Sequence, residues 1–126
     1  MKAEGPHLLG SAASELPGEP RDARPDELDI ALGIEKLNDA TALEIRSVKN
    51  TWAGLRTFTS DRVPAVGRDD VEPTFFWLVG QGGYGIKTSP ALGRVAAGLL
   101  DHDAIPEDVS EFGVKRSDLE PRRLRR

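Results

Sequence analysis

The feature that most constrains the fold of this chain is a continuous apolar run, Phe75-Phe76-Trp77-Leu78-Val79, followed at once by Gly80-Gln81-Gly82-Gly83-Tyr84-Gly85. Five consecutive apolar residues bounded by turn residues predict a short strand buried on both faces, since a strand with one wet face would alternate. Beyond the glycines, Ile86, Leu92, Val95, Ala96 and Leu99 predict a helix from Ile86 to Leu100 with one apolar face. A strand, a glycine turn and a helix in this order aim the first N–H groups of the helix, and the positive end of its dipole, past the end of the strand. Such a turn favours an anion or an electron-rich carbonyl. The alternative is a turn whose glycines serve tight packing alone.

Gly80, Gly82 and Gly85 also satisfy the G-x-G-x-x-G spacing of a dinucleotide-binding turn, which requires a second parallel strand after the helix with an acid near its end. Here Asp101-His102-Asp103-Ala104-Ile105-Pro106 leads into a polar segment, so that unit is not completed. Upstream, Leu8-Leu9 can pair as a strand, and Pro25-Asp26-Glu27-Leu28-Asp29 opens a helix expected from Asp26 to Asp39, with Pro25 suited to a first helical position. Ile30, Ile34 and Leu37 supply its apolar stripe, widened by Leu28, Ala31 and Leu32. From Ala42 to Phe58 the period changes to two, predicting one bent strand or two strands around Gly54. Thr59 to Arg62 has turn chemistry, Val63 to Gly67 reads as a short strand, and Arg68 to Thr74 as a charged loop.

At 126 residues the chain suffices for one modest domain and is too short for a complete two-domain enzyme. No apolar stretch approaches the roughly 20 residues of a membrane span, and residues 1–6 lack the apolar core of a secretory leader, which makes the cytoplasm the expected location. The absence of cysteine removes disulfides, thiolate zinc sites and cysteine nucleophiles. His7 and His102 stand alone near opposite ends, so no metal site is expected. Residues 1–50 and 51–112 each carry a net charge of −4 and residues 113–126 carry +4. An acidic body repels phosphate backbones, and Arg122, Arg123, Arg125 and Arg126 lack interleaved aromatics, so nucleic acid is not an expected partner. The basic end reads as a solvated tail packed loosely on an acidic surface.

Two cations are candidates for chemistry. Arg56 sits in Trp52-Ala53-Gly54-Leu55-Arg56-Thr57-Phe58 and is either a snorkelling surface charge or a planar fork for a carboxylate. Lys87, just after the glycine turn, opposes the helix dipole locally and is either exposed or faces an anion.

Two long segments resemble the C-terminal part of the FAD-dependent D-amino-acid oxidase superfamily, with D-arginine dehydrogenases and similar broad D-amino-acid dehydrogenases the most alike within it. They are Trp52 to Gly67 and Phe75 to Thr88, read in full. The similarity extends to Leu8-Leu9-Gly10-Ser11-Ala12, Pro25 to Asp29, Asp39 to Leu43, and Pro121-Arg122-Arg123-Leu124. The resemblance implies that Arg56 forks onto the substrate carboxylate. It also implies that Gly82, Gly83, Tyr84, Gly85, Ile86 and Lys87 line the N1–C2=O edge of the flavin, with Gly83 near substrate as well. It implies non-covalent FAD, since the cysteine used by the similar sarcosine oxidases is lacking, and oxidation of a D-amino acid by hydride transfer to flavin N5, giving a 2-oxo acid and ammonia. Relatives commonly carry glutamine at the position of Lys87.

The fold class expected is accordingly α+β, a C-terminal fragment of a two-domain flavoenzyme. Residues 1–58 would belong to the antiparallel substrate-binding domain, 59–105 to the return into the FAD-binding domain, and 106–126 to the basic tail. The family's phosphate-binding glycine motif lies upstream of the matched region, so Met1 resembles a cut, and the isolated chain is expected to be inactive and marginally stable. The alternatives are one half of a split flavoprotein whose partner chain supplies the N-terminal FAD-binding half, a gene remnant, or a free-standing anion-binding domain.

Overall fold

The computed structural model describes residues 1–12, 14 and 16–125. The chain forms two compact units, Met1–Leu55 and Arg56–Arg126.

In the first unit, β1 (Lys2–Glu4) and β2 (His7–Leu9) form an antiparallel hairpin about Gly5-Pro6, with Ala3 opposite Leu8. Helix α1 spans Glu27–Ala40. Its N-cap is Asp26, whose Oδ1 accepts from the N–H groups of Leu28 at 2.9 Å and Asp29 at 3.3 Å, so Pro25 precedes the cap and is not the first helical residue. Glu27 and Asp29 place negative charge at the positive end of the dipole. The helix ends where the Thr41 hydroxyl donates to the Leu37 carbonyl at 2.6 Å. The expected apolar face is only partly used: Ile30, Ile34 and Leu37 are half-buried, whereas Leu28 and Leu32 are exposed.

The strands expected from Ala42 to Phe58 do not form. That stretch is extended but irregular, with a single bridge at its end between Phe58 and Gln81. Period-two patterning specifies which side chains share a face; it does not supply a neighbouring backbone, and a ladder needs one. Asn38 serves Ile45 in place of a strand, its Nδ2 donating to the Ile45 carbonyl at 3.1 Å and its Oδ1 accepting the Ile45 N–H at 2.8 Å. Trp52, intended for a sheet face by its pattern, is 70% exposed.

In the second unit, β3 (Ala65–Arg68) and β4 (Phe76–Val79) pair antiparallel, with Val66 opposite Leu78 and Gly67 opposite Trp77. Helix α2 (Gly85–Asp101) packs on β3. Val66, Val95, Ala96, Leu99 and Leu119 form the core, with Phe76, Leu92, Ile105, Val109 and Val114 around it. Pro90 lies inside α2, where it cannot donate to the Ile86 carbonyl; the Ser89 hydroxyl takes that carbonyl instead at 2.9 Å. At the other end the chain turns back so tightly that a Cβ on Gly98 would stand 2.7 Å from the Ala104 carbonyl oxygen. None of the described helices is long and apolar enough to cross a membrane.

Two expectations for this unit are corrected. Strand β4 is not buried on both faces: Leu78, 40% exposed, and Val79, 38% exposed, are consecutive and so lie on opposite faces, and among the described residues β4 has β3 alone as a neighbouring strand, which leaves both faces partly uncovered. Residues 106–125, the described part of the expected tail, are not loose. They form α3 (Glu107–Ser110), α4 (Arg116–Leu119) and a 3-10 turn (Pro121–Leu124), and Leu119 and Pro121 are buried. What made this stretch read as solvent-facing was its charge, but Arg123 and Arg125 are bound to specific carboxylates. Arg123 Nε donates to Asp61 Oδ2 and Arg125 Nη2 to Asp69 Oδ2, both at 2.7 Å.

Asp69 organises the loop between β3 and β4. Its Oδ1 accepts from the N–H groups of Val71 at 2.8 Å and Glu72 at 3.0 Å, and its Oδ2 accepts the Trp77 indole N–H at 2.9 Å besides Arg125. The Glu72 N–H, then the indole and the Val71 N–H, hold its carboxyl well below the usual carboxylate range. The Arg123 hydrogen bond does the same for Asp61, which falls to about 2. Because both acids ionise more readily folded than unfolded, the stability they contribute is present above about pH 4 and lost as pH falls through the folded values. The thermal midpoint of the second unit should therefore drop steeply between about pH 4 and pH 2. Asp69→Asn should lower it at neutral pH and flatten that acid limb, as followed by circular dichroism melts. In the core, Leu99→Ala, at a side chain 4% exposed, should cost about 3 kcal/mol in urea unfolding.

Candidate functional site

The glycine turn is built in two steps. Gly82–Tyr84 form a 3-10 turn and α2 begins at Gly85, so the start of the helix follows the end of β4 through this turn, in the expected strand-turn-helix order. Gly82 is held in the left-handed region, at φ +52°, and donates its N–H to the Thr57 carbonyl at 3.1 Å. A Cβ on Gly82 would lie 2.4 Å from the Phe58 ring, so glycine is required there both by conformation and by the close approach of that ring. Packing thus accounts for Gly82. Gly83 differs: it has an ordinary φ, is exposed, and the nearest atom to a Cβ there is Arg56 Nη1, at 4.0 Å.

The structure therefore brings Arg56 and Gly83 together, although 27 positions separate them in sequence. Among the described residues, Arg56 has no carboxylate and no hydrogen-bond acceptor of its own. A planar fork is left over an open backbone turn, a geometry that suits a carboxylate. Tyr84 is 43% exposed, and the Lys87 ammonium sits 4.6 Å from the centre of its ring, a cation–π pair that holds the charge beside the turn. Ile86, expected to join the apolar face of α2 toward the core, is 95% exposed, because at the first turn of the helix its position faces away from β3. An uncovered isoleucine, an uncovered tyrosine and an open glycine beside a helix N-terminus fit the carbonyl-bearing edge of a flat heteroaromatic ring such as that of FAD.

Sequence patterning alone missed the residues that hold this arrangement. Phe58 bridges Gln81 and packs on Gly82, and Thr59 presses its Cγ2 within 2.6 Å of where a Gly80 Cβ would stand. Asp61 Oδ1 accepts the Thr59 hydroxyl at 2.9 Å and the Val63 N–H at 3.1 Å, while Arg123 clasps the same carboxylate from the far end of the unit. Turn chemistry at Thr59 to Arg62 was the available signal; nothing local paired Asp61 with Arg123. Gly82→Ala should destabilise the second unit by on the order of 1–3 kcal/mol. Gly83→Ala should fold with a change within about 0.5 kcal/mol, a contrast that chemical denaturation of the two variants will read.

Residues 1–99 match the family described as FAD dependent oxidoreductase (DAO). The chain is also 26% identical over 121 residues to the hydrogen cyanide synthase subunit HcnC of Pseudomonas aeruginosa, an alignment covering 96% of this chain and 28% of that protein. The chain thus spans little more than a quarter of the length of that relative. The match to more than three quarters of its residues shows that the chain belongs to the FAD-dependent oxidoreductase family, whose cofactor is FAD.

Proposed function

We propose that this chain forms the substrate-carboxylate end and one flavin-facing edge of an enzyme that oxidises D-amino acids, D-arginine and other basic or broadly chosen D-amino acids among them, to 2-oxo acids and ammonia in the cytoplasm. The observation that carries this reading is the Arg56 guanidinium, without a partner among the described residues and next to the open backbone of Gly83. Bound FAD supplies the hydride acceptor. Arg56 would fork onto the carboxylate common to all amino acids and so fix the substrate end opposite the side chain. Gly83 would admit the substrate close to the backbone. The N–H groups at the start of α2, with Gly82, Gly83, Tyr84 and Gly85 around them, would stabilise negative charge on the neighbouring ring edge, and Lys87 would add a full positive charge to that field. Ile86 and Tyr84 would exclude water from it.

Side-chain selectivity would come mainly from residues outside this constellation, beyond these 126. The phosphate-binding part of the FAD site would come from residues beyond these 126, in the same polypeptide or in a separate chain. The second of these is a split flavoprotein in which this chain is the non-catalytic half. A neighbouring reading frame encoding a G-x-G-x-x-G strand-turn-helix supports the split form.

In the FAD-loaded protein, Arg56→Ala should raise KM for D-amino acids and lower kcat/KM by on the order of 2–4 kcal/mol, the loss of a charge-assisted fork. Steady-state kinetics across several D-amino acids reads this, and the loss should be similar for all of them. Unchanged KM removes Arg56 from the site.

A further inference from the structure

We infer that Arg123 is a positioning residue for the site, acting through Asp61 to seat Arg56 and the glycine turn. This rests on the proposed role of Arg56 for its effect on substrate and on the structure alone for the mechanical link.

The Arg123 side chain is 13% exposed, and its guanidinium uses every one of its N–H groups. Nε donates to Asp61 Oδ2 at 2.7 Å, Nη1 to the carbonyls of Leu119 at 2.7 Å and Glu120 at 3.1 Å, and Nη2 to Asp61 Oδ1 at 3.3 Å, Pro64 O at 3.2 Å and Val63 O. It therefore ties the end of α4, whose Leu119 lies in the core, to both ends of the 61–64 loop. Asp61 passes that hold on, because its Oδ1 takes the Thr59 hydroxyl and the Val63 N–H. Within the same loop the Arg62 N–H donates to the Thr59 carbonyl at 3.1 Å and Arg62 sits at φ +63°, a backbone state a bulky residue keeps only when its surroundings impose it. Thr59 in turn packs on Gly80, Phe58 on Gly82, and Thr57 accepts the Gly82 N–H; Arg56 is the next residue and stands over Gly83.

Residues 56–58 are tied to the turn by the Phe58–Gln81 bridge, of which the Gly82-to-Thr57 backbone hydrogen bond is part, so a short irregular segment carries the guanidinium that needs the most exact placement. The Arg123–Asp61 clasp supplies the missing anchor, from a residue beyond the 1–99 stretch that matches the family.

The test uses the full-length, FAD-loaded protein. Arg123→Gln keeps a polar side chain of related length but loses the charge and most of the donors. It should speed hydrogen exchange of the Gly82 amide at least about tenfold and raise KM for a D-amino acid about tenfold with kcat much less affected. Arg123→Lys, which keeps the charge without the fork, should recover only part of either change. If Arg123→Gln fails to fold, Asp61→Asn is read the same way, since it leaves Arg123 its carbonyl partners. Unchanged Gly82 exchange in a folded variant overturns the clasp, and so does faster exchange with unchanged KM when Arg56→Ala does raise KM. If Arg56→Ala itself leaves KM unchanged, the proposed substrate role fails, while Gly82 exchange still judges the mechanical link by itself.

Discussion

The candidate site depends on the seam between residues 57–59 and the glycine turn. It consists of the bridge between Phe58 and Gln81, with its backbone hydrogen bond from Gly82 to Thr57, and a phenyl ring laid where a Gly82 side chain would be. Remove the seam and Arg56 has no reason to stand over Gly83, because the segment that carries it belongs to no ladder. The constraint is steric before it is electrostatic: only a residue without a Cβ accepts both the positive φ and the ring, and only then can α2 start where its N–H groups face outward.

Charge enters by holding that seam from behind. Two of the side-chain clasps between the acidic body and the basic C-terminus matter most here, Asp61 with Arg123 and Asp69 with Arg125. Exposed ion pairs contribute little as a rule, yet these two carboxylates also accept backbone N–H groups, an indole N–H or a hydroxyl, and so act as loop organisers whose arginine fixes their orientation. The surface pairs Lys2–Glu4 and Arg46–Glu44 have no such additional partners and carry no comparable structural consequence.

The parts of the fold legible in the sequence were those in which local chemistry and tertiary packing agree. The acid-rich start of α1, the turn around Thr59 to Arg62 and the apolar stripe of α2 at Val95, Ala96 and Leu99 belong here. The strands expected from Ala42 to Phe58 were not realised, because alternation describes a face and no second strand pairs with that stretch among the described residues; Asn38 satisfies Ile45 instead. The C-terminal segment was misjudged because four arginines in five residues read as solvated, while Leu119 and Pro121, with no periodic neighbours to announce them, are buried.

By itself the sequence determined the strand-turn-helix order at residues 75–100, the identities of the glycines and the cations available beside them, since these follow from local periodicity and from residue types that have few uses. It also carried the resemblance through which the family could be recognised. Only the tertiary structure decided which glycine serves packing and which is open, that Arg56 is the cation over Gly83, and that Arg123 reaches Asp61 across 62 positions. Those are contacts between residues distant in the chain, fixed by steric fit and by paired charge, and no pattern along the sequence encodes which partner each will meet.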